Sequence, residues 1–118
     1  MEDRAVLDPS PLRDLLAIGA PPSLIQDLVD LYRVDVPGRM ARLAAALAAG
    51  ELAAAAVEAH SLKGSTGSLG LFRFMDLAAA LERQARAGDL EAARALAAGV
   101  DGAYLAGLEA LLEAFPGS

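Results

Sequence analysis

The 118-residue chain contains no cysteine, no tryptophan and a single histidine, and its other aromatics are two tyrosines and three phenylalanines. The missing thiols exclude disulfides and thiolate metal centres. A lone imidazole cannot build a histidine-rich metal site, and no aspartate-rich loop of the calcium-binding type is present. Positive charge is also scarce. Ten lysines and arginines stand against sixteen aspartates and glutamates, for a net charge of −6. That balance argues against nucleic acid, whose binding leans on clustered cations, and against anionic membrane surfaces. No apolar stretch approaches the roughly 20 residues of a membrane-spanning helix. The Met1-Glu2-Asp3-Arg4 start is charged where a signal peptide would be apolar. A soluble cytoplasmic protein is the expectation.

What the chain has in quantity is alanine and leucine. Both are strong helix formers, and with β-branched residues scarce the fold class is all-α. The length suits one domain, residues 1–118. A loose lead-in ends near Asp8 or Ser10, either of which can cap a short helix that Gly19 closes. Leu12, Leu15, Leu16 and Ile18 would be its buried stripe. Pro21-Pro22-Ser23 opens a long segment that runs to about Ala49, with Leu24, Ile25, Leu28, Leu31 and Tyr32 at helical spacing. Pro37 should kink it near Asp35 or divide it in two. Glu51 to about Gly67 forms the next helix, and Leu71 to Ala87 the one after it. Asp89 caps a last segment, in which Gly99, Gly102 and Gly107 predict a bend or break near 99–102. Pro116-Gly117-Ser118 reads as a frayed end. Four substantial helices with short connections give an antiparallel up-and-down four-helix bundle, with a short extra helix at its N-terminal side. No heptad seam asks for a dimer, so a monomer is expected.

The stretch Glu58-Ala-His-Ser-Leu-Lys-Gly-Ser-Thr-Gly-Ser-Leu-Gly70 carries the chemistry. At about 100° per residue, Leu52, Ala55, Ala59, Leu62, Thr66 and Leu69 share one arc, which reads as a core face. Ala53, Ala56, Val57, His60, Lys63, Gly64 and Gly67 share the other. If neighbouring helices cover the leucines, His60 faces water. A neutral imidazole is a nucleophile near pH 7 and can carry a covalent group. A phosphoryl group on it would find Lys63 one turn away as a compact charge. Gly64 costs a helix about 1 kcal/mol relative to alanine, which close approach of another molecule would explain. Thr66, on the core arc, can bond back to the carbonyl of Leu62. The glycines do not make a phosphate-binding loop, because Lys63 precedes them and no strand leads in. No catalytic triad is identifiable around His60.

The run Ala59-His60-Ser61-Leu62-Lys63-Gly64-Ser65, with Leu69-Gly70, Leu77 and Leu81-Glu82 beyond it, resembles the histidine-containing phosphotransfer (HPt) domain. The resemblance is specific in that core and elsewhere covers the chain as a helical pattern of suitable length. It implies a four-helix bundle whose histidine carries phosphate between aspartates of receiver domains. His60 would then be the phosphoacceptor, with Lys63 and Gly64 serving it. Ser65 is a supporting candidate near the ring. Glu82, on the adjacent helix, could orient the ring through its N–H, or could be an ordinary solvated charge. Ala56, Val57, Gly67, Phe72 and Met75 are candidate partner contacts. The expected partners are response-regulator receiver domains and a histidine or hybrid kinase. The chain shows no cofactor or metal site of its own, so the receiver should bring magnesium. A phosphocarrier of this kind is not itself an enzyme. The alternative is a helical docking or adaptor module whose histidine is never phosphorylated. The Met1 start and the frayed end favour a free-standing protein over a domain excised from a larger kinase.

Overall fold

The computed structural model describes residues 4–117, so the first three residues of the expected lead-in and Ser118 lie outside it. Six helical segments follow one another: α1 (Ser10–Ala17), α2 (Pro22–Ala48), α3 (Leu52–Ser68), α4 (Phe72–Arg86), α5 (Leu90–Ala97) and α6 (Val100–Ala114). Among the described residues there is no strand. The long helices α2, α3, α4 and the α5–α6 pair form the expected bundle, with α1 as the short extra helix. The contacts run α2 to α3, α3 to α4 and α4 to α5, and α6 closes onto α2 and α4.

The boundaries follow the local chemistry. Asp89 caps α5 through a 3.0 Å bond that its Oδ1 accepts from the Ala92 N–H. The chain breaks between α5 and α6 at Ala98–Gly99, at the near edge of the expected region. The division weighed at Pro37 does not occur, since α2 is one helix across it. Proline removes the bond to the carbonyl four residues back, that of Arg33, and Arg33 is exposed, where water can satisfy that group. The α3–α4 turn depends on Gly70, at φ 81°, where a side chain would collide with the carbonyl of Asp8. The Asp8 N–H donates to the Gly70 carbonyl at 2.9 Å, which ties the N-terminal segment to that turn.

One core cluster joins the segments. From α2 it takes Ile25, Val29, Tyr32, Val36, Leu43 and Leu47, a row at steps of three or four residues once the partly buried Met40 is counted between Val36 and Leu43. From α3 it takes Ala55, Ala59 and Leu62, the last two at 0% exposure. Full burial of a leucine or valine stabilises by about 1.5–3 kcal/mol, while the alanines contribute mainly by letting helices approach. Ile18 and Leu31, placed inward by spacing, are 82% and 59% exposed. Ile18 lies past the end of α1, and Leu31 sits about 100° round the helix from the buried Tyr32.

Leu90–Ala114, taken across the break, is long and apolar enough to cross a membrane by length and composition, against the expectation that no stretch approached that length. In the bundle, Ala93, Val100 and Leu111 of this pair enter the core. Gly107 of α6 is a point of close approach. The Tyr32 hydroxyl donates to the Tyr104 carbonyl at 2.9 Å, and the two rings stack with centroids 4.9 Å apart. A Cβ on Gly107 would stand 2.7 Å from that hydroxyl and 3.2 Å from Leu71. Gly107→Ala should therefore destabilise the fold by about 1–3 kcal/mol, despite the better helix propensity of alanine, because a packed core cannot yield the space. Chemical denaturation checks this, and a midpoint equal to or above that of the wild type would refute the packing account.

Candidate functional site

Two antiparallel helices build the site. Ala59 and Leu62 hold α3 against the core, and His60, one residue and about 100° beyond Ala59, emerges at the solvent edge with 62% of its side chain exposed. On α4, the buried Leu81 anchors the helix and its neighbour Glu82 turns toward α3, only 8% exposed. Oε2 of Glu82 lies 3.0 Å from Nδ1 of His60. Oε1 lies 3.0 Å from the Lys63 ammonium. Arg86, one turn further along α4, donates to Oε2 from Nε at 3.0 Å and from Nη2 at 2.8 Å.

This carboxylate is thus not the solvated charge that was one reading of it. The Lys63 ammonium first, and then Arg86 and His60, hold the Glu82 carboxyl at about 2, against the upward push of its burial. At neutral pH it is ionised and can only accept hydrogen bonds. The proton between it and His60 therefore belongs to Nδ1, and in the neutral ring Nε2 carries the lone pair. Two cations surround one carboxylate, so the cluster carries surplus positive charge in a chain of net charge −6.

The other expected residues divide. A Cβ at Gly64 would meet nothing within 4 Å, so the space beside the imidazole is open and the fold itself does not require glycine there. Val57, one turn before His60, is 59% exposed and stands on the same open face. Ala56 does not belong with it, because it is buried at 3% exposure. The reason is the pairing of α3 with α4. His60 faces Glu82 and Gly67 faces Met75, seven residues on in one helix and seven back in the other. Carried back one turn, that register puts Ala56 against the last turn of α4. Gly67 serves the same packing, since a Cβ there would stand 2.8 Å from the Met75 sulfur. Phe72 belongs to the far end of the pair, opposite Gly70, about 15 Å along the axis from His60. Its ring carries the Arg4 guanidinium at 5.3 Å. Ser65 turns away from the imidazole and lines a groove between α2 and α3 with Leu28, Tyr32 and Asp35. Five residues past His60 is about 140° round the helix, which is why it cannot support the ring. Thr66 donates to the Leu62 carbonyl at 2.8 Å, as its place on the core arc required.

Arg86 is the site residue that the motif did not indicate. Its signal was present as the Glu82–Arg86 pair at i, i+4, a spacing that puts opposite charges in contact. A second signal is that Lys63 is the one lysine among the ten cationic residues. Among the described residues, no group of three or more histidine, aspartate or glutamate side chains could hold a metal ion.

The low carboxyl value sets a pH dependence. A depressed carboxyl adds stability above its ordinary value of 4.5, and that stability is lost as pH falls through about 2. Glu82→Gln should lower stability at neutral pH by on the order of 1 kcal/mol, a small figure because Lys63 and Arg86 are 38% and 59% exposed and screened by water. The difference from wild type should shrink as pH is lowered from 4.5 to 2 in denaturation curves. A difference independent of pH would show that the charge is not what matters.

Known proteins place this geometry. The sequence model of the Hpt domain matches residues 27–116. A search of curated proteins finds no match. Among solved structures, the chain is similar to histidine-containing phosphotransfer protein B (HptB) from Pseudomonas aeruginosa PAO1, with a TM-score of 0.83, 27% sequence identity and 96% of each chain covered. The family match spans α3 and α4 with the His60 cluster between them, and the chain belongs to the Hpt domain family, the histidine phosphotransfer domains of phosphorelay signalling.

Proposed function

We propose that His60 is the phosphoacceptor of this domain and that Nε2 is the atom that bonds to phosphorus. The observation that carries this is the Glu82 carboxylate on Nδ1 of the chain's one histidine, which in the neutral ring makes Nε2 the nitrogen with the lone pair. Nε2 attacks in line the phosphorus of a receiver's aspartyl phosphate. The N–P bond forms, the P–O bond to the aspartate breaks, and the aspartate leaves as a carboxylate. No proton need move. The ring keeps its Nδ1–H and becomes a cation, which the Glu82 carboxylate stabilises. A cationic ring is also a good leaving group, so the phosphoryl group can pass on to a second receiver. Phosphoryl transfer is mostly positioning and electrostatics, and the rigid α3–α4 pair provides the positioning.

Lys63 is the charge next to the incoming oxygens, and Gly64 the clearance for the partner. Val57 is a partner contact beside the ring, while Ala56 is core. Receiver domains and a histidine or hybrid kinase are the partners. Magnesium comes with the receiver, because the surplus positive charge around Nε2 would repel a divalent cation. The chain acts as a carrier rather than an independent enzyme, and a cytoplasmic location fits that role.

The test is transfer from a phosphorylated receiver to wild type, His60→Gln and Gly64→Ala in parallel, read by intact mass. Wild type should gain one phosphoryl group that is acid-labile and base-stable, and His60→Gln should gain none. An adduct of unchanged size on His60→Gln would overturn the assignment. Receivers that bind wild type and never phosphorylate it would favour a docking module instead. Gly64→Ala should be more stable, by up to about 1 kcal/mol, and slower in transfer. With open space at Gly64, any slowing arises where the partner docks. Unchanged transfer would remove Gly64 from the site.

A further inference from the structure

The Glu82 carboxylate is held from two sides, in unequal ways. Lys63 reaches Oε1 from the other helix with one contact at 3.0 Å. Arg86 grips Oε2 from its own helix with Nε and Nη2, at 3.0 and 2.8 Å. The lysine is a point charge on a flexible stem, free to exchange one anion for another, while the guanidinium is a planar fork whose two contacts reinforce each other. Arg86 and Glu82 are one turn apart on α4, so their contact does not depend on the position of α3. His60 and Lys63 of α3 and Arg86 of α4 are the ion-pairing partners of Glu82 among the described residues.

Suppose Lys63 leaves Glu82 for a phosphoryl group on Nε2. Without a second cation, a carboxylate that is 8% exposed would remain close to a new dianion with only the ring N–H as partner. Repulsion and burial would both act against it, and the ring would lose its support at the moment it becomes a cation.

We propose that Arg86 is the standing counter-ion of Glu82, which lets Lys63 move onto the phosphoryl group while Glu82 keeps its hold on the ring. This rests on His60 being the acceptor. Arg86 is a positioning residue: it acts on the imidazole through Glu82 and bonds to no reacting atom.

The test compares wild type, Arg86→Gln, Arg86→Lys and Lys63→Gln in the full chain. Nitrogen-15 NMR follows the His60 Nδ1–H at rest and after phosphorylation. Single-turnover transfer from a phosphorylated receiver gives the saturating rate and the half-saturating concentration. Arg86→Gln should keep its helical circular dichroism and its Nδ1–H signal at rest, because Lys63 still sits on Glu82. In its phosphorylated form the signal should broaden or vanish, while wild type retains it. The saturating rate should fall on the order of tenfold, the scale of one lost charged hydrogen bond, with half-saturation unchanged. Arg86→Lys should recover part of both. Lys63→Gln should lower the rate and retain the signal in both forms. An Arg86→Gln protein with wild-type rate and a retained signal after phosphorylation would overturn the proposal. So would a change confined to half-saturation, which would make Arg86 a partner contact. Wild type that never forms the adduct would sink the His60 reading itself, an outcome distinct from any result on Arg86.

Discussion

A carboxylate almost out of reach of water between two helices is the constraint on which the site depends. A charge in that position is unfavourable unless every lone pair has a donor, so Glu82 imposes conditions on its surroundings. A cation must come from α3, a second from α4, and an imidazole N–H must point inward. Those conditions can hold together only in one register of α3 against α4. A slip of a single residue would swing Glu82 about 100° away from His60. The same register lets Met75 lie in the space that Gly67 leaves. A polar requirement and a packing requirement therefore select one alignment, which is what keeps a reactive side chain in a fixed place on a rigid support.

The rest of the bundle makes that register affordable. Alanine faces at 55, 59, 78 and 85 allow the helices to approach closely, and Leu62, Phe74 and Leu81 fill what remains. Tyr32 and Tyr104 extend the packing on the far side, where Gly107 leaves room for the tyrosine hydroxyl. Gly64 differs from the two helical glycines that serve helix packing, and shares its open surroundings with Gly102 near the start of α6. Gly67 and Gly107 each have a neighbour that fills the missing side chain, and Gly64 has none. A mid-helix glycine with an internal partner is explained by packing. Gly64 has no such partner and stands beside the imidazole, which is the physical ground for proposing it as clearance for a docking molecule.

Much of this was legible in the chain. Alanine and leucine content set the class, glycines at 19, 50 and 88 marked turns, and the spacing about His60 separated a buried arc from an open one. Three things were not legible. Periodicity assigns an angle and not a neighbour, so spacing alone puts Ala56 on the open face although it is buried. Ser65 looked close to His60 along the chain, but 140° of helix rotation sends it into a different groove. Arg86 lies outside the motif because it contacts Glu82 and not the ring, and the surroundings of Glu82 follow from tertiary burial. Residues that touch the ring are written in the local pattern. Those that hold such residues in place follow from tertiary contact.

The charge pattern joins these points. The chain is acidic overall, yet its one lysine and an arginine converge where the imidazole meets solvent. A receiver that delivers phosphate presents an aspartyl phosphate, a concentration of negative charge that a uniformly acidic surface would repel. Two of the ten cationic residues meet beside the ring, and on the proposed function that local surplus would draw the phosphate there. Glu82 is what prevents that cluster from being merely basic. It neutralises one of the two cations and fixes the proton on the inner nitrogen. The surplus charge stands beside a ring whose Nδ1–H is engaged, which in the neutral imidazole makes Nε2 the nitrogen with the lone pair.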